Sequence, residues 1–268
     1  MKGGLAKMIK ACLFDLDGTL LPMDTYQFVE KYMRLLSSKM SHFLPPEQFT
    51  RSLWKATLTM MRNRDHTKTN QEVFEASFVA ETGIPWSQIA DDVNRFYEQD
   101  FPTLRKYVGF QPLARAAVET ALEQGYQVAI ATNPVFPKVA VLERLRWAGI
   151  DDLPFSLVTV YEETYFCKPH LEYYQGIAKQ IGISPQECVM IGNDMQEDMV
   201  STKLGMRTFL LQSHRIDRGN PTYPVDQEGD LRHFNRRRGH FVLQPNKWFM
   251  PCQSRWWGIF CFFHSAFY

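Results

Sequence analysis

The sequence predicts an α/β fold, a parallel sheet covered on both faces by helices and interrupted near its start by a helical insert. Three observations carry this. Five short runs, at residues 8–16, 127–131, 157–160, 188–191 and 207–211, are apolar on consecutive positions, as in strands buried on both faces. Helical patterns alternate with the last four of them, which is the order of a parallel sheet. More than a hundred residues separate the first run from the second, and most of them read as helix.

The first run stops at Asp-Gly, a turn signal. The insert follows. "TYQFVEKYMRLLSSK", "EQFTRSLWKATLTMMRN", "NQEVFEASFVAETG" and "PWSQIADDVNRFYEQ" each place apolar residues three and four apart, and Pro45-Pro46 and Gly83-Ile84-Pro85 punctuate the set. Residues 112–124, 138–148, 171–181 and 195–204 then read as helices between the remaining strands. This gives an α/β core at 1–22 and 104–231, a helical cap at 23–103, and a tail at 232–268 of different character. The insert leaves and re-enters the core near the end of the first strand. In parallel sheets, the loops beyond the carboxyl ends of the strands are where ligands bind. The competing reading is that these helices simply pack on the sheet edge.

Four short motifs stand at or just past those ends: "DLDGT" at Asp15–Thr19, "ATN" ending at Asn133, "KP" at Lys168-Pro169, and "GNDMQED" from Gly192 to Asp198. Together they supply a cation, a small hydroxyl, and carboxylates on two strand ends. Two acids two residues apart, at the end of a buried strand, need a cationic partner. Carboxylate oxygens beside a lysine suit a hard divalent cation and a phosphoryl group.

In their order along residues 11–211, these motifs resemble the haloacid dehalogenase-like phosphatase superfamily, with its Rossmann-like core and helical cap. The resemblance implies a magnesium-dependent phosphatase acting on a small phosphorylated metabolite. Asp15 is then the nucleophile that forms an aspartyl-phosphate, and Asp17 the general acid that becomes the general base. Thr132 holds a phosphoryl oxygen, Asn133 is a substrate-side contact or a helix cap, and Lys168 sits over Asp15 and the phosphoryl group. Mg²⁺ is held by Asp15, the backbone carbonyl of Asp17, and Asp194, with Asp198 behind them on metal waters or on Lys168. The commonest family pattern has Asp directly after the glycine, where this chain has Asn193. A register with Asn193 as ligand and Glu197 behind it therefore stands as the alternative. A phosphomutase of the same superfamily would use the same residues, and a non-catalytic relative would bind a phosphate ligand or a partner.

Composition narrows the class. Of 268 residues, 45% are hydrophobic and 22% charged, ordinary for a globular chain, and the net charge is +1. Six of the 30 basic residues and none of the 29 acidic ones lie from Leu231 onward, so the preceding body carries 24 bases against 29 acids, a balance of −5. That excludes a global nucleic-acid footprint. The five cysteines show no metal-type spacing, and Cys12 and Cys188 fall inside apolar runs, so both read as small buried residues of a reducing compartment. With no signal-type leader and no apolar stretch of membrane-spanning length, a cytoplasmic location is expected and a membrane partner is not. His42, His66 and His170 read as surface or loop residues. The tail, with eleven aromatics in the last 38 residues, reads as an extension foreign to the domain. The oligomeric state is left open.

Overall fold

The computed structural model describes residues 8–232. Apart from Arg232, the tail and the readings made of it lie outside the described residues. Six parallel strands form one sheet in the order β3-β2-β1-β4-β5-β6: β1 Ala11–Phe14, β2 Gln127–Ile130, β3 Leu157–Val158, β4 Cys188–Gly192, β5 Arg207–Leu211 and β6 Gln227–Gly229. The Rossmann-like α/β core expected from the sequence is present. The first five strands fall within or next to the apolar runs.

β1 lies at the centre, with Phe14 level with Ile130 on one side and Ile191 on the other. The chain runs outward from β1 through β2 and β3, then returns to pair β4 with the other side of β1. The order therefore reverses at β1/β4, which opens a crevice at the carboxyl ends of those two strands. β1 is wholly buried because both sheet faces are covered. Cys12 and Cys188 lie within the sheet, and burial pushes both thiols up, that of Cys188 to about 12. Both are small core residues, as their positions in apolar runs predict.

The insert is helical where expected: α1 Thr25–Lys39, α2 Pro46–Arg62, α3 Asn70–Thr82 and α4 Trp86–Arg95, followed by a π-helical turn at Phe96–Asp100 and a 3-10 helix at Phe101–Tyr107. Its boundaries are chemical. Asp24 caps α1 through the Gln27 amide. Thr69 and Glu72 form a reciprocal capping box on α3, which ends at Gly83 with φ 71°. The helices of the core are α5 Pro112–Glu123, α6 Lys138–Ala148 and α7 Leu171–Gln180. The apolar cluster under the insert is continuous with the one on the sheet face: Phe28 and Tyr32 of α1 meet Phe101, Phe136 and Trp147 edge-on at ring separations of 5.1–6.2 Å.

Two local expectations need correction. Residues 195–204 are not an α-helix: a turn leads into a 3-10 helix at Met199–Leu204. Asp194 Oδ1 accepts the amides of Gln196 and Glu197 as an N-cap does, and the Asp198 amide reaches the Asp194 carbonyl at 2.9 Å, but the chain then runs on in tighter bonds, the Ser201 amide reaching the Asp198 carbonyl at 3.3 Å. Asn133 does not cap a helix either, since α6 begins at Lys138 after Pro137.

Candidate active site

All four motifs reach one edge of the sheet. Asp15 follows β1 directly, its amide bonded to the Ile191 carbonyl at 2.9 Å, and Ala131 is tied to the Phe14 carbonyl at 2.7 Å. Asp15, Thr132 and Asn193 thus emerge side by side.

Lys168 is the hub. Its ammonium lies 2.8 Å from Asp15 Oδ1 and 2.6 Å from Asp198 Oδ1, and the side chain is 1% exposed. Burial alone would push this ammonium down, but the two carboxylates outweigh it and hold the charge well above the usual lysine range. Burial in turn pushes the Asp198 carboxyl up, and Lys168 pulls it back down. Gly192 makes room for this pair, since a Cβ there would lie 2.1 Å from Asp198 Oδ2.

Asp15 Oδ2 accepts the Thr19 hydroxyl at 3.0 Å, so both its oxygens are oriented from within the protein. Gly18 takes φ 81°, a left-handed turn that glycine adopts without strain, and its amide bonds the Leu21 carbonyl at 2.8 Å. That turn carries Asp17 away from the strand. Asp17 Oδ2 pairs with Arg144 of α6, while its Oδ1 is buried with no hydrogen-bond partner among the described residues. Burial pushes the Asp17 carboxyl up and Arg144 pulls it back. Arg144 is fully buried. Its guanidinium lies 4.5 Å from the Phe136 ring centroid and its Nη2 is likewise unpartnered among the described residues.

Thr132 is 1% exposed, and its carbonyl is held by Thr159 Oγ1 at 2.7 Å and Tyr173 Oη at 2.8 Å. Asn133 connects two parts of the site: its Oδ1 accepts the Lys168 amide at 3.2 Å and its Nδ2 donates to Glu197 Oε2 at 3.1 Å. Both ends of its amide therefore face protein groups. His170 stands in the loop after Lys168 and bridges to the insert, with Nδ1 2.8 Å from Arg64 Nη1 and Nε2 2.9 Å from the Met61 carbonyl.

Asp194 carries a partner that sequence reading missed. Arg218, in the segment after β5, places Nη1 2.9 Å from Asp194 Oδ1 and Nη2 2.8 Å from Oδ2. Arg144 was missed too. A signal existed for it: Ala140, Val141, Arg144, Leu145 and Ala148 form one buried stripe at helical spacing, with an arginine in its middle. Arg218 left none, lying in a polar stretch with no motif.

The arrangement can present a nucleophilic carboxylate, a buried ammonium and a second acid to one small anionic group. A model for haloacid dehalogenase-like hydrolases matches residues 9–201, most of the chain. The chain belongs to the haloacid dehalogenase-like hydrolases. It is 24% identical over 208 residues to a glyceraldehyde 3-phosphate phosphatase of Methanothermobacter thermautotrophicus, covering 77% of this chain and 87% of that one. It is 24% identical over 229 residues to the pyrophosphatase PpaX of Bacillus cereus, covering 83% and 94%. Among solved structures, a haloacid dehalogenase-like phosphatase from Thermococcus onnurineus shares the fold with a TM-score of 0.53 at 20% identity, over 84% of this chain and 95% of that chain. The relatives are named as phosphatases, which agrees with the phosphoric monoester hydrolase expected from the motifs. Among the described residues, no helix is long and apolar enough to cross a membrane.

Proposed function

We propose that this haloacid dehalogenase-like hydrolase is a magnesium-dependent phosphatase of a small phosphorylated metabolite, working through an aspartyl-phosphate on Asp15. The observation that carries the reading is the fully buried Lys168 ammonium bonded to Asp15 and Asp198 at the β1/β4 crevice. A lysine held charged at a carboxylate that ends a central strand reduces the repulsion that a phosphate dianion would meet there.

The donor set fits a hard divalent cation. The Thr19 hydroxyl has one proton and faces two oxygens, Asp15 Oδ2 at 3.0 Å and Asn193 Oδ1 at 3.1 Å, so acceptor capacity is left over beside a carboxylate. Among the described residues, no three acidic, histidine or cysteine side chains are grouped to hold a metal ion, so the reading needs a backbone carbonyl and waters in the shell. Asp15 and the Asp17 carbonyl would hold the ion, with a third oxygen from the 193–194 turn. Bound there, Mg²⁺ would screen the phosphoryl charge.

The chain's own residues then divide the work. Asp15 attacks phosphorus, the bond from phosphorus to the leaving oxygen breaks, and Asp17 gives that oxygen a proton. A water then attacks the phosphorus of the acyl phosphate, Asp17 takes its proton, and the bond to Asp15 breaks to release phosphate. Lys168 stays charged against Asp15 throughout, and Thr132 contributes at the phosphoryl group from its fixed loop. Helices α1–α4, acting as a cap over the crevice, would suit a small substrate better than a polymer.

Hydrolysis of a generic aryl phosphate tests the reading. With Mg²⁺ the wild-type chain turns over; Asp15→Asn falls to background, a loss of about 10⁴-fold or more by analogy with removal of other covalent nucleophiles. Equal rates in both chains would end the proposal.

A further inference from the structure

Asn193 and Asp194 are neighbours at the end of β4, yet the fold sends their side chains to different partners. The Asn193 amide is fixed by the His214 carbonyl, 2.6 Å from Nδ2, which turns Oδ1 towards the Thr19 hydroxyl and Asp15. It also abuts the Asp17–Gly18 turn, because a Cβ on Gly18 would lie 2.4 Å from Asn193 Nδ2. Asn193 is 2% exposed and Asp15 7% exposed. One hydroxyl proton shared between two buried acceptors leaves an oxygen lone pair that needs a donor or a cation.

Asp194 is in the opposite condition. Its Oδ1 accepts three hydrogen bonds, from the amides of Gln196 and Glu197 and from Arg218 Nη1, and its Oδ2 accepts Arg218 Nη2. A bidentate guanidinium already meets its charge. The clamp is anchored at several points. The Arg218 amide donates to Gln196 Oε1 at 2.9 Å, Gln196 Nε2 reaches Asp217 and the Pro221 carbonyl, and Ile216 is bonded to Asn193 and Met195 through the backbone. Arg218 is thus part of a segment joined to the 193–196 turn.

We propose that the cation of this site is held by Asp15, the Asp17 carbonyl and Oδ1 of Asn193, and that Asp194, locked by Arg218, is not a ligand. The inference rests on reading the site as a magnesium site. It gives the ion one side-chain carboxylate where an acidic pair would give two, and so a weaker hold, since affinity for hard cations rises with the charge of the ligand set.

Calorimetric titration of Mg²⁺ into the chelator-treated full chain tests this, with folding checked by circular dichroism. Asn193→Ala is expected to weaken binding about tenfold or more, and Asn193→Asp to tighten it about tenfold, because each changes the ligand set. Asp194→Asn is expected to stay within about threefold of wild type, because it adds or removes no ligand. Asp194→Ser, which can still cap the 196–197 amides, serves if the asparagine variant fails to fold. Loss of binding in both Asp194 variants, wild-type affinity in Asn193→Ala, or no binding by the wild-type chain would each overturn the assignment. The aryl phosphate assay on the same preparations separates the two claims. Turnover alongside a reversed binding pattern removes only the ligand assignment, whereas no turnover above Asp15→Asn removes the phosphatase reading.

Discussion

At the scale of single residues, the site is a set of charges that compensate one another. Asp15 and Asp198 share Lys168, Asp194 has Arg218, and Asp17 has Arg144. The last pair is the most demanding, because Arg144 is wholly buried and is joined to an acid 127 positions away. Breaking a buried pair by removing one partner costs about 3–5 kcal/mol, and the lower end applies here because Asp17 keeps some exposure. Arg144→Met is therefore expected to lower the melting temperature by roughly 6–12 °C, at about 2–4 °C per kcal/mol for a domain of this size. It should also cut turnover on the aryl phosphate, because the acid loses the group that orients it. Calorimetric melting and steady-state kinetics check both, and a variant with unchanged melting would show that the pair contributes nothing to stability. The four motifs were legible because each pairs an unusual residue type with a strand end. Their counter-charges were not, because Arg144 and Arg218 reach the site only through the tertiary fold.

At the scale of elements, legibility followed burial. Strands covered on both faces, such as β1 and β4, are uninterrupted apolar runs and stand out. β6 is the polar triplet Gln227–Gly229 at the sheet edge and carries no such signal. The segment after β4 misled because a capping acid at helical spacing serves a 3-10 helix as well as an α-helix. An exposed ion pair stands at the entry to the central strands β1 and β4, where such a pair adds only modestly to stability. Lys10, just before β1, bonds Glu187, just before β4, at 2.7 Å. That bond, with Ser184 adding to it, holds the Glu187 carboxyl down, from 4.5 to about 2. A carboxyl whose folded value is depressed stabilises the fold above its unfolded value and loses that contribution as pH falls through the folded one. Glu187→Gln should thus lower the melting temperature at neutral pH and flatten its decline between pH 4.5 and about 2. A decline as steep as wild type across that window would count against the linkage.

At the scale of the whole molecule, the open question is whether α1–α4 move as a cap or pack permanently on the sheet. The insert touches the site's own loops. The Asn70 amide donates to the Thr164 carbonyl at 2.7 Å and the Gln71 amide to the Tyr161 carbonyl at 3.0 Å. Asn70 Nδ2 reaches the Pro134 carbonyl at 3.2 Å and Cys167 Sγ at 3.4 Å. Asn70 is completely buried, and its two acceptors lie one residue past Asn133 and one residue before Lys168. The insert also packs through the aromatic contacts of Phe28 and Tyr32 with Phe101, Phe136 and Trp147. A closing cap would use the aromatic side as its pivot and Asn70 as its latch, and closure would then set both substrate retention and rate. Asn70→Ala removes two side-chain hydrogen bonds and leaves the Pro134 carbonyl short of a donor, at a cost of about 1–3 kcal/mol. If the insert is a cap, this variant raises KM and lowers kcat together by roughly tenfold each, because opening competes with every turnover. If the helices are fixed, the same substitution lowers the melting temperature and leaves KM and kcat at their wild-type values. Melting and kinetics measured on one preparation decide between a latch and a piece of core.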